Sequence, residues 1–165
     1  MVVASGPENI QDCLVEGNII KDVGGAGIAV AGNGILVSQN LIRDASTNSA
    51  SAAIEVRQVD ALTSNVMVTE NRILNSPDTS HVTTAVKIEP GAQGVRVGRN
   101  MTVGSSIHPL SNQGSGVMAE LIGAGSPEGV ISASVGSTYR RTDGEPGATF
   151  YIKESGDGSS GWVAK

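Results

Sequence analysis

Val68-Thr69-Glu70-Asn71-Arg72-Ile73 is one of four stretches in this chain that follow a single pattern. The others are Val15-Glu16-Gly17-Asn18-Ile19-Ile20, Val37-Ser38-Gln39-Asn40-Leu41-Ile42 and Val97-Gly98-Arg99-Asn100-Met101-Thr102. Each sets Val three residues before Asn, and Ile or Thr two residues after it. The asparagines are 22, 31 and 29 residues apart. Self-similarity at a period of about 20 to 50 residues marks a solenoid or array, and the unequal spacings fit coils with loops of variable length. A second element follows each Asn: Gly27-Ile28-Ala29-Val30, Ala53-Ile54-Glu55-Val56, Ala85-Val86-Lys87-Ile88 and Gly116-Val117-Met118-Ala119. Its alternation predicts a strand with one buried face, so each repeat holds at least two short strands joined by turns. Helical periodicity appears nowhere over a useful length.

Successive strand residues point to opposite faces. If Val15, Val37, Val68 and Val97 point inward, so do Cys13, Ile35, Val66 and Val95. Ile28, Ile54, Val86 and Val117 form a further inward column. One coil cannot bury its own apolar face, whereas stacked coils bury a continuous one. The Asn recurs at a bend, where a short amide can hydrogen-bond backbone or the Asn one coil away, and Asn tolerates unusual backbone angles. Over roughly residues 9 to 122 this arrangement resembles the parallel β-helix repeat of the pectate-lyase-like superfamily, with its internal Asn ladder. The resemblance implies an all-β fold: a short right-handed parallel β-helix of about four coils, laddered by Asn18, Asn40, Asn71 and Asn100. Coils advance about 4.8 Å each, so four make a shaft of about 15–20 Å. That is short for a carbohydrate groove along the solenoid, though a site between subunits could be larger.

Composition agrees. Of 165 residues, 22 are Gly and six are Pro, which suits tight corners, and only 2% are aromatic. The formal net charge is −5 and no basic stripe is present, which argues against nucleic-acid binding. The single Cys13 excludes an intrachain disulfide framework and reads as a small core residue. No apolar run is long enough for a membrane span. The first residues do not resemble a signal peptide, and the abrupt entry into the repeat reads as a piece of a longer protein or a very short member of the class.

The outward positions carry more information than the core. Four residues before each Asn stand Leu14, Leu36, Met67 and Arg96. Three large apolar side chains in one outward column form an exposed patch, which monomers rarely show without a reason. The column reads as a subunit interface, most simply around a threefold axis, unless a loop of the same chain covers it. A second outward column sets Glu55 beside Lys87 and Arg57 beside Glu89, a solvated, register-setting face.

Little points to catalysis. Glu16 and Glu70 lie near the Asn bend but at different offsets and a coil apart. Asp44, Asp60 and Asp78 lie in loops. Paired carboxylates for glycoside hydrolysis must converge to about 5–9.5 Å. A lyase would want clustered carboxylates near a base; Arg57, Arg96 and Arg99 have no dense Asp/Glu group with them. His81 and His108 lack partners at ligand spacing, and no nucleophile elbow or phosphate-binding loop occurs. No catalytic, metal-binding or cofactor-binding residue is assigned.

After residue 122 the character changes. The aromatic residues Tyr139, Phe150, Tyr151 and Trp162 all lie in the last 27 positions. Strand-like runs at 137–142, 149–154 and 161–164 are separated by Asp-Gly and Gly-rich turns, which predicts a small antiparallel meander. The chain thus divides into a solenoid over 1–122, a linker over 123–136 and a C-terminal β-meander cap and trimerisation module over 137–165. About 40 residues bury too little to fold alone, so the cap needs the solenoid end or partner chains.

This tail resembles a short C-terminal module common in bacteriophage and prophage surface proteins. The matching residues are Gly125-Ser126-Pro127-Glu128-Gly129-Val130, the run from Val135 to Gly144, Tyr151-Ile152-Lys153-Glu154-Ser155-Gly156 and Gly161-Trp162. The resemblance implies the distal structural domain of a phage tail fibre or tailspike, or of a phage-like particle. Such a domain would be a virion homotrimer, intertwined or side by side, that attaches to a host surface polysaccharide or protein. Leu14, Leu36, Met67, Tyr139, Phe150, Tyr151 and Trp162 are then the interface candidates. The loops Asp44–Ala52 and Asn75–Thr83 are the candidate receptor-binding loops. The alternatives are the C-terminal part of a polysaccharide depolymerase whose catalytic coils lie upstream, and a folding cap with no ligand.

Overall fold

The bend in every coil falls on the residue before the repeated asparagine. Gly17, Gln39, Glu70 and Arg99 have φ of 67°, 54°, 58° and 51°, in the left-handed region. The sequence pattern put this unusual angle on the Asn itself. The structure moves it one residue earlier, and the Asn side chain then turns into the stack: Asn40 and Asn71 are buried.

The computed structural model describes residues 2–3, 10–48, 51–59, 62–76, 81–104 and 107–165, with backbone alone for Val2, Val3 and Ser51. After β1 (Val2–Val3), the first coil contributes β2 (Leu14–Glu16), β3 (Ile19–Lys21) and β4 (Ile28–Val30). The second contributes β5 (Leu36–Ser38), β6 (Leu41–Arg43) and β7 (Ser51–Val56). The third contributes β8 (Met67–Thr69), β9 (Arg72–Leu74) and β10 (Val82–Ile88), and the fourth β11 (Arg96–Gly98), β12 (Met101–Val103) and β13 (His108–Asn112). The chain ends with β14 (Met118–Gly123), β15 (Thr138–Arg141), β16 (Phe150–Lys153) and β17 (Trp162–Ala164), and no helix occurs among the described residues.

Corresponding strands of successive coils pair in parallel, giving a β-helix-like stack. One sheet has the order β1-β4-β7-β10-β13, a second β12-β9-β6-β3, and an eight-stranded sheet runs β17-β16-β15-β14-β11-β8-β5-β2. A line of single parallel bridges, Gln11–Asn33–Ser64–Gln93–Ser115, adds a further contact per coil. The inward columns are as the alternation requires. Val15, Val37, Val68 and Val97 are at most 2% exposed, as are Ile35, Val66 and Val95 above them. Cys13 is half-buried against the same core. Burying one such side chain contributes about 1.5–3 kcal/mol.

The fourth member of the second element is corrected. Met118 pairs with Arg96 and Ala119 with Val97, so Val117 stands in the column of Val95 and not in that of Ile28, Ile54 and Val86. The vacated place belongs to β13, where Leu110 pairs with Val86. Pro109 hides this strand from a propensity reading. It is tolerated because β13 is the edge of its sheet. The charged column is also corrected. Lys87 does stand beside Glu55, but Glu55 is buried rather than solvated. The ion pairs run along each strand, with Arg57 Nε 2.8 Å from Glu55 Oε2 and Lys87 Nζ 3.4 Å from Glu89 Oε1.

The asparagines form the expected ladder. Asn18 Nδ2 donates to Asn40 Oδ1 at 2.9 Å, Asn40 Nδ2 to Asn71 Oδ1 at 2.9 Å, and Asn71 Nδ2 to Asn100 Oδ1 at 3.0 Å. Each acceptor oxygen also takes the backbone N–H of the Asn before it, at 3.0 to 3.1 Å. The same amides reach the backbone of the preceding coil, at Val15, Val37 and Val68.

The tail is joined to the stack more tightly than a linker and separate cap would be. β15 pairs in parallel with β14, and β16 and β17 then add antiparallel strands. Residues 123–136 are not a free linker: Ile131 and Ala133 are buried in the same hydrophobic cluster as the coils. Trp162 Nε1 donates to the Ile131 carbonyl at 2.8 Å. The Glu128 carboxylate accepts the backbone N–H groups of Gly161 and Trp162 at 3.2 and 2.8 Å.

Asn71 accepts two bonds and donates three, whereas Asn18 is half-buried at the ladder's end and accepts none of these bonds. Asn71→Ala leaves the buried Asn40 backbone N–H without its acceptor, while the Asn40 side-chain amide keeps the Val15 and Ser38 carbonyls. It is expected to cost about 2–3 kcal/mol, against about 1 kcal/mol for Asn18→Ala. Urea unfolding of both variants checks this; equal losses would remove the ladder as the stabilising element.

Candidate functional site

The outer face of the eight-stranded sheet carries the features that the core does not explain. Register places Leu14, Leu36, Met67, Arg96 and Met118 in one outward column. Leu14 is 57% exposed, Met67 42% and Met118 39%, while Leu36 is half-buried. No described loop therefore covers Leu14, Met67 or Met118. Met118 was missed in the sequence. The signal for it was present, because Arg96 to Met118 is the same 22-residue step as Leu14 to Leu36.

The sheet carries the face onward into the tail. Ile122 and Phe150 flank Arg140 in register, Ile122 exposed and Phe150 half-buried. Ile152 and Val163 lie beyond Thr138 in the next row. Eight strands at about 4.8 Å spacing make this face roughly 35 Å wide. A second outward column, Ile19, Leu41, Arg72 and Met101, runs down the neighbouring sheet on the far side of the Asn bend and is apolar except at Arg72.

Three of the aromatic candidates are not on this surface. Tyr139, Tyr151 and Trp162 are buried in the chain's own core. Tyr139 and Trp162 meet edge to face with ring centroids 6.4 Å apart. Their side of each strand points inward, so they close the end of the stack, and Phe150 alone of the four faces outward. Tyr139 also donates its hydroxyl to the Ala124 carbonyl at 2.9 Å. Burial, with the nearby Asp143 carboxylate second, raises its pKa above the ordinary 10.0. Asp143 is held below the usual carboxylate range by its hydrogen bond from Arg141 and by the Gly125 N–H.

The described carboxylates near the Asn bend and the loop bases are engaged in local bonds. Glu16 accepts a bond from the Ser38 hydroxyl at 3.2 Å, and Glu70 is paired with Arg99 at 2.9 Å. Asp44 accepts the Ser76 N–H at 2.7 Å, which ties the bases of two successive loops together. Asn75 fixes the second loop through two bonds to the Val82 backbone. The loops Asp44–Ala52 and Asn75–Thr83 are described only in part, and Asp60 and Asp78 lie outside the described residues. His81 is half-buried and His108 exposed. No group of three or more His, Cys, Asp or Glu side chains placed to hold a metal occurs among the described residues.

A concavity breaks the outer face where β8, β11, β14 and β15 meet. It is a cleft of about 330 Å³ lined by Met67, Arg96, Met118, Glu120 and Thr138 among others. A second cleft, of about 270 Å³, adjoins it and extends to Arg140 and Phe150. No family model matches the chain, and no curated protein or solved structure shows significant similarity to it.

Because the folded chain favours protonated Tyr139, the raised pKa contributes stability that is fully present below pH 10 and is lost as pH rises through the folded value. Tyr139→Phe is expected to be less stable at neutral pH, having lost the bond to Ala124, but to show a shallower decline above pH 10. Denaturant titrations across that range check it; parallel declines would mean that another group governs the alkaline limb.

Proposed function

We propose that the coils close as a right-handed parallel β-helix and that three copies assemble through the outer face of the eight-stranded sheet. The product would be a structural distal domain of a phage, or phage-like, fibre or spike that attaches the particle to a host cell surface. The observation that carries this reading is the outward column Leu14–Leu36–Met67–Arg96–Met118, apolar at four of its five places and aligned strand by strand on one sheet. Burying such a column between copies removes apolar area from water without any refolding. The buried aromatic tail supports the terminal position, because it covers strand edges and core that an open stack end would expose. The likeness of that tail to the C-terminal module of phage surface proteins supplies the choice of three copies and of the virion. Attachment would then fall to loops and to grooves between copies, with a host polysaccharide or protein as receptor.

Light scattering tests the assembly. The expected mass is three times the 16.7 kDa of the chain. Leu36→Glu with Met67→Glu is expected to yield folded monomers, because both side chains point away from the core. A wild-type chain that remains monomeric at high concentration would overturn the reading.

A further inference from the structure

The cleft on the outer face is opened by a missing side chain. In register, the outward row beside the apolar column reads Glu16, Ser38, Thr69, Gly98, Glu120 and Thr138 across six successive strands. Gly98 alone has no side chain. Its φ lies outside the left-handed range, and a Cβ there would meet nothing closer than 3.7 Å. Neither backbone conformation nor crowding therefore calls for glycine at this position. Glycine weakens a strand interior, and one of its uses there is to let a ligand or another backbone approach closely.

The groups around the notch are of three kinds. Arg96 and Arg140 are exposed, and neither makes an ion pair among the described residues. They stand at the two ends of the joined clefts. Two strand spacings and four residues of rise put them roughly 16 Å apart. Both clefts share the Glu120 carboxylate, the Thr138 hydroxyl and Arg99, whose guanidinium is already paired with Glu70. Met67, Met118 and Phe150 supply apolar walls.

Each kind selects a part of a ligand. A guanidinium fork pairs best with a planar carboxylate or another oxyanion. Two forks so far apart suit a ligand with repeated acidic groups rather than a single ion. A carboxylate and hydroxyls between them suit hydroxyl donors and disfavour a continuous run of phosphates. Methionine and phenylalanine suit the C–H faces of sugar rings. The groove crosses the face of the sheet instead of following a free edge, so it offers no backbone ladder for an extended peptide.

From these observations we infer that the joined clefts bind an acidic oligosaccharide, with Arg96 and Arg140 on its anionic groups and Glu120 and Thr138 on its hydroxyls. The inference deepens the proposed attachment role and rests on it for biological meaning. Met67 and Met118 belong also to the outward column, so the groove and the proposed contact between copies share two side chains. The chain's net charge of −5 repels an acidic ligand overall. Attraction is therefore local and is weakened by salt.

Calorimetric titration of the intact chain tests it with tetragalacturonate, maltotetraose and tetraglutamate as probes. Tetragalacturonate is expected to bind and the other two not. Arg96→Gln and Arg140→Gln should each weaken binding about tenfold. Gly98→Val should abolish binding while keeping the melting temperature, since it fills the notch on a strand that favours a β-branched residue. No binding of tetragalacturonate, equal binding of maltotetraose or tetraglutamate, or unchanged affinity in both arginine variants would overturn the assignment. Light scattering on the same samples separates the two proposals. A monomer that binds removes the trimer and keeps the groove, and a trimer that does not bind removes the groove alone.

Discussion

Everything in this fold hangs on how a sharp bend is made inside a dry stack. A left-handed residue turns the chain between two three-residue strands, and the turn leaves backbone amides pointing into the core. Left unsatisfied, each would cost about 1–3 kcal/mol. The asparagine solves this by offering one oxygen to two donors of the coil before it, while its own NH₂ reaches back to carbonyls. The solution works only if the next coil supplies the same amide at the same height. That requirement keeps the coils in register and lets Val15, Val37, Val68 and Val97 fall into one column. It also leaves the residue before the Asn free to vary among Gly, Gln, Glu and Arg, since that residue gives only its φ and its side chain is exposed.

The way the ladder ends explains the cap. Two residues past Glu120, where a fifth asparagine would fall, the chain has Ile122, and the bend position before it is Leu121, which is buried. With no left-handed residue and no amide there, β14 does not turn. It runs straight to Gly123 and pairs along its whole second half with β15. The eight-stranded sheet alone continues into the tail, while the sheet beyond the bend stops at β12. The space left beside the straight strand is filled from within by Ile131, Tyr139, Tyr151 and Trp162. A single substitution of register, Ile for Asn, thus converts a repeating solenoid into its own terminus.

The inside of the molecule was legible because it repeats. Four Val-x-x-Asn segments locate the bends, the inward columns and the ladder, since each is set by local alternation and by one amide. What was hidden does not repeat. β13 carries His108 and Pro109 and could be recognised only by its position in the stack, and that misplacement shifted Met118 out of its column. Glu55 looked like a surface charge because alternation alone cannot show what covers it. The tail aromatics looked like surface anchors because 40 residues cannot bury them unaided; they are buried by the coils, a long-range contact with no local trace. The notch at Gly98 is visible as a gap in a row only once six strands are side by side.

The same division separates stability from function in this chain. The inward residues are interchangeable aliphatics and one amide, and they would serve any stack of this kind. The outward residues obey no structural necessity: an exposed sheet face tolerates Leu, Met, Arg or Gly at little difference in folding energy beyond their strand propensity. Yet one outward column is apolar for three coils, turns to Arg96 and returns to Met118, and the row beside it gives up a side chain at Gly98 where the charges gather. A face under folding constraint alone would carry mixed polar residues, as the Ser38, Thr69 and Thr138 positions do. Several of these departures lie together on the one sheet that spans both the stack and the cap, and that face is therefore the one proposed to meet a partner, whether another copy or a ligand.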